Sequence, residues 1–417
     1  MALPEIRFLQ IAFLLLTLFL VQCQNNKKKV WPAEEKTILP EVPAANTAKD
    51  PVRLSRELLI VDGHIDLPDR MRSYPQNPAE STTYDFDFPK AVAGGLNAAF
   101  MAVYIPAGVQ HGASKPYALQ SIASIARLAE EHPEKFRLIG NSASLSEFNP
   151  EGPILLALGM ENGSPLEGNL ENLSLFYDLG IRYITLTHSR NNEICDSATD
   201  SPARWGGLSP FGHTLIEAMN SYGIMIDLSH ASDSTFYQVL KLSRSPVIAS
   251  HSGCRALAPN VVRNLSDDML QALVPNGGLV MINFGSYFLN AESHRAWSKI
   301  YRMAWGQGMG EDHPGVLAYT DSLQAKIDLY RSVKDVADHI DHAVRLAGIE
   351  HVGLGSDFDG LGRGLPKNLK SAADYPKLIA ELQERGYSRE QISAVCGGNL
   401  MRVWSRVEYL ADVQDVP

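Results

Sequence analysis

Eight short apolar runs, each ending in polar residues and followed by a helical stretch, constrain this chain more than any other feature. They cover 58–66, 96–105, 154–160, 183–188, 224–230, 247–251, 279–283 and 352–357. Amphipathic stretches lie between them, such as 119–131, 211–221 and 333–347. A strand that is apolar along its whole length is buried on both faces, which marks a parallel sheet covered by helices. Eight such units in series predict an α/β fold, a (β/α)8 TIM barrel. A doubly wound open sheet is the alternative. The stretch 290–326, with Trp297, Trp305, Glu311 and His313, breaks the rhythm. It is predicted as an inserted segment after the seventh run, either capping the site or building the interface of a homodimer.

The polar ends of the runs carry the chemistry. Four of the 12 histidines, His64, His188, His230 and His251, fall at predicted strand ends. Asp66, Glu161 and Asp357 occupy equivalent tips. In a barrel all these ends converge on one face, where active sites sit. His64 and Asp66 are spaced i, i+2, which on a strand puts both side chains on one face. Zinc accepts both ligand types. His230 and His251 come from neighbouring runs. Glu161 lies between the two pairs in barrel order, and its two oxygens can bridge. A binuclear site is predicted, with His64, Asp66 and Glu161 on one ion and Glu161, His230 and His251 on the other. Two divalent ions about 3.5–4 Å apart share a water and make hydroxide available at neutral pH. Two zinc ions per chain are the default, although manganese or cobalt also suits such a ligand set.

These tips sit in longer motifs: Val61-Asp62-Gly63-His64-Ile65-Asp66-Leu67-Pro68, Gly159-Met160-Glu161-Asn162-Gly163 and Tyr183-Ile184-Thr185-Leu186-Thr187-His188. Others are Leu208-Ser209-Pro210-Phe211-Gly212, Ile226-Asp227-Leu228-Ser229-His230, Ser250-His251-Ser252, Arg263-Asn264-Leu265 and Gly353-Leu354-Gly355-Ser356-Asp357-Phe358-Asp359-Gly360. In this order, from about Leu58 to about Trp404, they resemble the membrane (renal) dipeptidase family of zinc metallopeptidases. The resemblance implies a barrel of the metal-dependent hydrolase type and the same five metal ligands. It implies that a metal-bridging hydroxide hydrolyses the single amide bond of a dipeptide, and that a D-residue is accepted at the C-terminal position. It also implies roles for residues that bind no metal. His188 would bind substrate beside the scissile carbonyl and stabilise the tetrahedral intermediate. Asp357 would hold the water, take its proton and pass it to the leaving amine. Arg263 would pair with the free carboxylate of the substrate, and Tyr287 would contact substrate. After His188 the chain reads Ser189-Arg190-Asn191-Asn192-Glu193, where the family often has a different turn, so a different substrate rim is expected.

Composition bounds the remaining readings. The chain has 417 residues, of which 45% are hydrophobic and 20% charged, as in ordinary globular proteins. With 37 Lys and Arg against 47 Asp and Glu, no nucleic-acid partner is expected. Four cysteines are too few for a disulfide-stapled scaffold.

The apolar stretch 8–21 is too short for a comfortable membrane span and suits a signal peptide. Cys23 directly after it resembles a bacterial lipoprotein processing site, although Gln22 replaces the usual small residue. The expected organisation is a signal peptide at 1–23, a Pro-containing tether at 24–53, the catalytic barrel at 54–410 and a tail at 411–417. Export to the cell envelope follows, with membrane association through the leader or through lipid on Cys23, or else release into the periplasm or medium. Two rivals remain: a related amidohydrolase acting on N-acyl amino acids or lactams, and a surface-attached binding protein that has lost catalysis.

Overall fold

The computed structural model is described over residues 50–412 apart from 110–111, 307–308 and 310–312. The leader, Cys23, most of the tether, Glu311 and residues 413–417 lie outside the described residues. Nine parallel strands form one sheet: β1 (Val61–Ile65), β2 (Ala98–Tyr104), β3 (Phe136–Leu138), β4 (Ile154–Glu161), β5 (Ile181–Thr185), β6 (Met225–Asp227), β7 (Ile248–Ser252), β8 (Leu279–Ile282) and β9 (Val352–Leu354). Eight run in the order β1-β2-β4-β5-β6-β7-β8-β9, and the short β3 pairs with β4 off this path. Just beyond β9 the ring closes on β1. Ile65 bridges Phe358, the Asp66 N–H donates to the Phe358 carbonyl (2.8 Å), and the Asp357 N–H to the His64 carbonyl (3.0 Å). This is the predicted barrel; β3 is one strand more than the sequence showed.

Two-residue alternation sorts the strand side chains. Ala98, Phe100, Leu155, Ala157, Leu279 and Met281 belong to one apolar cluster, with Leu400, Val403, Trp404 and Val407 of the helix Asn399–Asp412. Their neighbours Ala99, Met101, Leu156, Leu158, Val280 and Ile282 belong to the larger cluster shared with the surrounding helices. The first set fills the lumen and the second packs outward, as alternation in a barrel requires. Inside the lumen, aromatic rings stack upward. Trp404 stands 5.0 Å from Phe100, and Phe100 5.2 Å from Tyr183. The Tyr183 hydroxyl then meets His64 Nδ1 at 2.8 Å. The last helix thus plugs the floor of the barrel, and the column above it ends at the strand tips.

Two expected boundaries shift. The helix Pro51–Glu57 crosses the 53/54 limit of the tether because Leu54 and Ser55 are buried in the main body. The last helix runs two residues past 410. The segment 290–326 folds as the helices Ala291–Gly306 and Pro314–Gln324. Ala296, Trp297, Ile300, Ala304, Val316 and Leu329 form a small core of their own. Tyr301 ties this insertion to the loop after β9 through the Leu361 carbonyl (3.4 Å). No helix among the described residues is long and apolar enough to cross a membrane.

A carboxylate pair clasps the same loop to residues 85–86. Asp359 accepts the N–H groups of Asp85 (2.8 Å) and Phe86 (3.2 Å), while Asp85 Oδ2 accepts that of Asp359 (2.9 Å). Burial pushes Asp85 up to about 6; burial and then the Asp85 charge push Asp359 up to about 8. A carboxyl with a raised folded pKa contributes stability that is complete below the unfolded value and lost as pH rises through the folded one. Asp85→Asn keeps an oxygen for the Asp359 N–H and removes the repulsion. It should leave the melting temperature nearly unchanged at pH 4 and raise it at pH 9, by roughly 1 kcal/mol of stability. An equal change at both pH values would contradict this account.

Candidate metal centre and active site

The strand register sets the site. Tyr104, Glu161, Thr185 and Asp227 pair in one row across β2, β4, β5 and β6. Glu161 closes β4, is buried, and stands at the centre of four imidazoles. Its Oε1 lies 3.2 Å from His230 Nε2, 3.3 Å from His251 Nε2 and 3.6 Å from His188 Nε2. Its Oε2 lies 3.5 Å from His64 Nε2, which is also 3.5 Å from Asp66 Oδ2. Three donor sets each fall within 4.8 Å: His64, Glu161 and His251; Glu161, His188 and His230; and His64, Asp66 and Asp357. The structure therefore brings together all five expected ligands. It also draws His188 and Asp357 into the same cluster.

The donors fit an ion chemically. Ligand nitrogens and oxygens about 2.0–2.1 Å from a tetrahedral zinc stand roughly 3.3 Å apart. Glu161 Oε1, His230 Nε2 and His251 Nε2 stand 3.2, 3.3 and 2.9 Å apart. A Cβ on Gly360 would lie 2.1 Å from Asp66 Oδ2 and 2.6 Å from Asp357 Oδ1, so this glycine keeps the cradle between the carboxylates open. Burial, followed by the charges of His64 and Arg263, holds His251 well below the usual imidazole range; burial and Arg263 do the same for His230. Both are thus neutral, as metal ligation requires. Burial would raise Glu161, but the charges of His64 and His188 and its contacts with the His230 and His251 rings hold it well below the usual carboxylate range. Burial and the Asp66 charge push Asp357 well above that range.

Several supporting residues escaped the sequence reading. Asp62 sits two residues before His64 on the same strand. Its Oδ1 accepts the backbone N–H groups of His64 (2.9 Å) and Ser356 (3.0 Å), and its Oδ2 accepts the Tyr375 hydroxyl. One buried carboxylate thereby locks the β1 tip to the β9 tip. Tyr183 reaches His64 only because residue 159 is glycine; a Cβ there would stand 2.0 Å from the tyrosine ring. Asn283 donates to Asp357 Oδ2 at 2.6 Å and orients that carboxylate. The Tyr104 ring meets the His188 ring edge-on at 5.0 Å. The i, i+2 spacing of Asp62 and His64 was a visible signal; the other contacts depend on register between strands.

Arg263 is buried, at 5% exposure. Its Nη2 donates to the His251 carbonyl (2.7 Å), and its guanidinium lies 4.5 Å over the Phe288 ring. Nε and Nη1 have no hydrogen-bond partner among the described residues. A buried guanidinium with unused donors beside this cluster of histidines and carboxylates is built to receive an anion. Tyr287 is half-buried, with its ring 4.2 Å from His294 and its hydroxyl 3.5 Å from Ser298 Oγ, in the apolar cluster of the insertion. It faces Arg263 electrostatically, while no described contact joins it to the candidate metal ligands. Cys195, Cys254 and Cys396 are all buried free thiols.

Comparison with known proteins agrees with this geometry. A family model described as membrane dipeptidase (peptidase family M19) matches residues 49–416. Dipeptidase 3 of Mus musculus is 34% identical over 369 residues, spanning 86% of this chain and 66% of that protein. Dipeptidase aclJ of Aspergillus oryzae is 34% identical over 369 residues, spanning 84% and 79%. Among solved structures, the probable dipeptidase PvdM from Pseudomonas aeruginosa superposes with a TM-score of 0.75 at 25% identity, covering 86% of this chain and 98% of that one. A metallo peptidase from Rhodobacter sphaeroides, liganded with a phosphinate mimic of L-Ala-D-Ala, shares the fold with a TM-score of 0.70 at 24% identity, covering 84% and 99%.

Proposed function

The chain belongs to the membrane dipeptidase family, peptidase family M19, and on that premise we propose that it is an exported, zinc-dependent dipeptidase. The observation that carries this reading is the convergence of His64, Asp66, Glu161, His230 and His251 beside the unused donors of Arg263. His64, Asp66 and Glu161 would hold one ion, and Glu161, His230 and His251 the second. When bound, the ions polarise the scissile carbonyl and lower the pKa of water enough to supply hydroxide at neutral pH.

The protein residues do the rest. Arg263 binds the C-terminal carboxylate and so fixes which amide bond lies over Glu161. His188, half-buried in the mouth and braced by Tyr104, donates through Nε2 to the carbonyl oxygen as negative charge grows there. Asp357, oriented by Asn283, takes a proton from the attacking water and delivers it to the leaving amine. Recognition through a carboxylate is indifferent to the configuration at the adjoining carbon, which supports acceptance of a C-terminal D-residue. The phosphinate mimic of L-Ala-D-Ala on a chain of the same fold is in keeping with this. The apolar stretch 8–21 supplies export, and lipid on Cys23 would add an anchor.

The test uses purified protein lacking residues 1–23. Bound metal is counted, and L-Ala-L-Ala, L-Ala-D-Ala and N-acetyl-L-alanine are assayed. About two zinc ions per chain with cleavage of both dipeptides are expected. Cleavage of the acylated amino acid alone would replace the dipeptidase with an amidohydrolase. No bound metal and no hydrolysis would refute the reading.

A further inference from the structure

The dipeptidase reading makes His230 and His251 ligands, but a histidine ligates only through a nitrogen that carries no proton. What keeps the Nε2 of His251 bare lies one layer below. Asp227, fully buried, closes β6 beneath both histidines. Its Oδ1 accepts the backbone N–H groups of Ser229 (3.0 Å) and Ser250 (2.8 Å). Its Oδ2 accepts the hydroxyls of Thr185 (2.5 Å) and Ser250 (2.6 Å). Four donors converge, two on each oxygen, the full set of hydrogen bonds that an ionised carboxylate accepts. Asp227 is therefore a carboxylate and only accepts.

Proton counting then propagates outward. Ser250 has one hydroxyl proton. It goes to the carboxylate at 2.6 Å and not to Ser229 Oγ at 3.4 Å. The remaining lone pairs of Ser250 Oγ face His251 Nδ1 at 2.8 Å. Nδ1 must carry the ring proton, which leaves Nε2 as a lone pair toward Glu161 and His230. Ser229, whose N–H is held by the same carboxylate, accepts the His251 backbone N–H through its own Oγ (3.1 Å) and leads into His230, whose backbone is left-handed at φ 66°.

We propose that Asp227 is a positioning residue that, acting through Ser250, locks His251 in the Nδ1–H tautomer required of a ligand. The proposal rests on the metal reading above and extends it to the machinery that prepares the second site.

An isosteric change reverses the wire. In Asp227→Asn the amide oxygen keeps the two backbone N–H groups, and the amide NH2 faces Ser250 and Thr185. Ser250 then accepts from the amide and donates to His251 Nδ1, which moves the ring proton to Nε2. Zinc titration against a chromophoric chelator should show the second ion bound about 10–100-fold more weakly than in the wild type. Ser250→Ala removes the acceptor without supplying a donor, and the loss should be smaller. The double variant Asp227→Asn/Ser250→Ala should bind the second zinc more tightly than Asp227→Asn alone, because the misdirected donor is gone. A merely structural role predicts the opposite order, since two core losses accumulate. Melting of the metal-free proteins checks that each variant is folded. Wild-type affinity in Asp227→Asn, or a double variant weaker than Asp227→Asn, would overturn the proposal while leaving the dipeptidase reading intact. A wild-type protein that binds no zinc would overturn both.

Discussion

Glu161→Gln should strip the metal centre of at least one ion. Bound zinc should fall from about two ions per chain to one or none, and kcat/KM for L-Ala-L-Ala by on the order of 10³ or more. The magnitude follows from the site. Polarisation of the carbonyl and acidification of water are together worth several kcal/mol, and each 1.36 kcal/mol is a factor of ten. Glu161 is the carboxylate that His64, His188, His230 and His251 all approach within 3.6 Å. Glutamine keeps the volume and one oxygen, but it turns an amide donor toward imidazole nitrogens and removes the charge that an ion requires. The helices and lumen packing do not depend on this side chain, so circular dichroism should be unchanged. Retention of both ions with undiminished turnover would show that the imidazoles hold metal without a bridging carboxylate.

How much of this was legible beforehand depends on what each feature rests on. The strands were visible because parallel strands covered by helices must be apolar throughout, and 154–161 or 279–282 read that way without knowledge of their neighbours. His64, Asp66 and Glu161 could be placed because they sit on or next to such strands. The predicted strands overran at His188, His230 and Asp357. β5, β6 and β9 stop at Thr185, Asp227 and Leu354, and the tip residues follow in turns. His230 and Asp357 take left-handed backbones, φ 66° and 64°. That conformation costs a non-glycine residue about 1–3 kcal/mol and persists only where surrounding contacts enforce it. No local pattern announces it. Tyr183 under His64 was equally hidden, since it depends on Gly159 one strand away. Asp62 and Asp227 share a logic that could have been read: each lies two or three residues before a predicted ligand, on a strand that should contain only apolar side chains. A carboxylate in such a run must be satisfied by its neighbours, and here those neighbours are the ligand-bearing tips.

Arg263→Ala should raise KM for L-Ala-L-Ala about 10²–10³-fold with a smaller effect on kcat, while hydrolysis of L-Ala-L-alaninamide changes little. Truncating one partner of a buried, hydrogen-bonded charge pair costs about 2–5 kcal/mol, much of it from stranding the other charge. Here the stranded charge is the substrate carboxylate, so an amide that lacks it is spared. Loss of binding common to ground and transition states appears in KM. Arg263→Lys should recover only part of the affinity: an ammonium cannot span the His251 carbonyl, the Phe288 face and a carboxylate at once. The contact with the His251 carbonyl also supplies an internal control. If Arg263 acted by holding the ligand strand in place, Arg263→Ala would release zinc and slow both substrates equally. If it acts on the carboxylate, zinc content stays at the wild-type level and only the acid loses affinity. Steady-state kinetics on the two substrates, with elemental analysis of the same preparations, separates these cases, because the metal ligands serve every amide whereas Arg263 serves only one that ends in a charge.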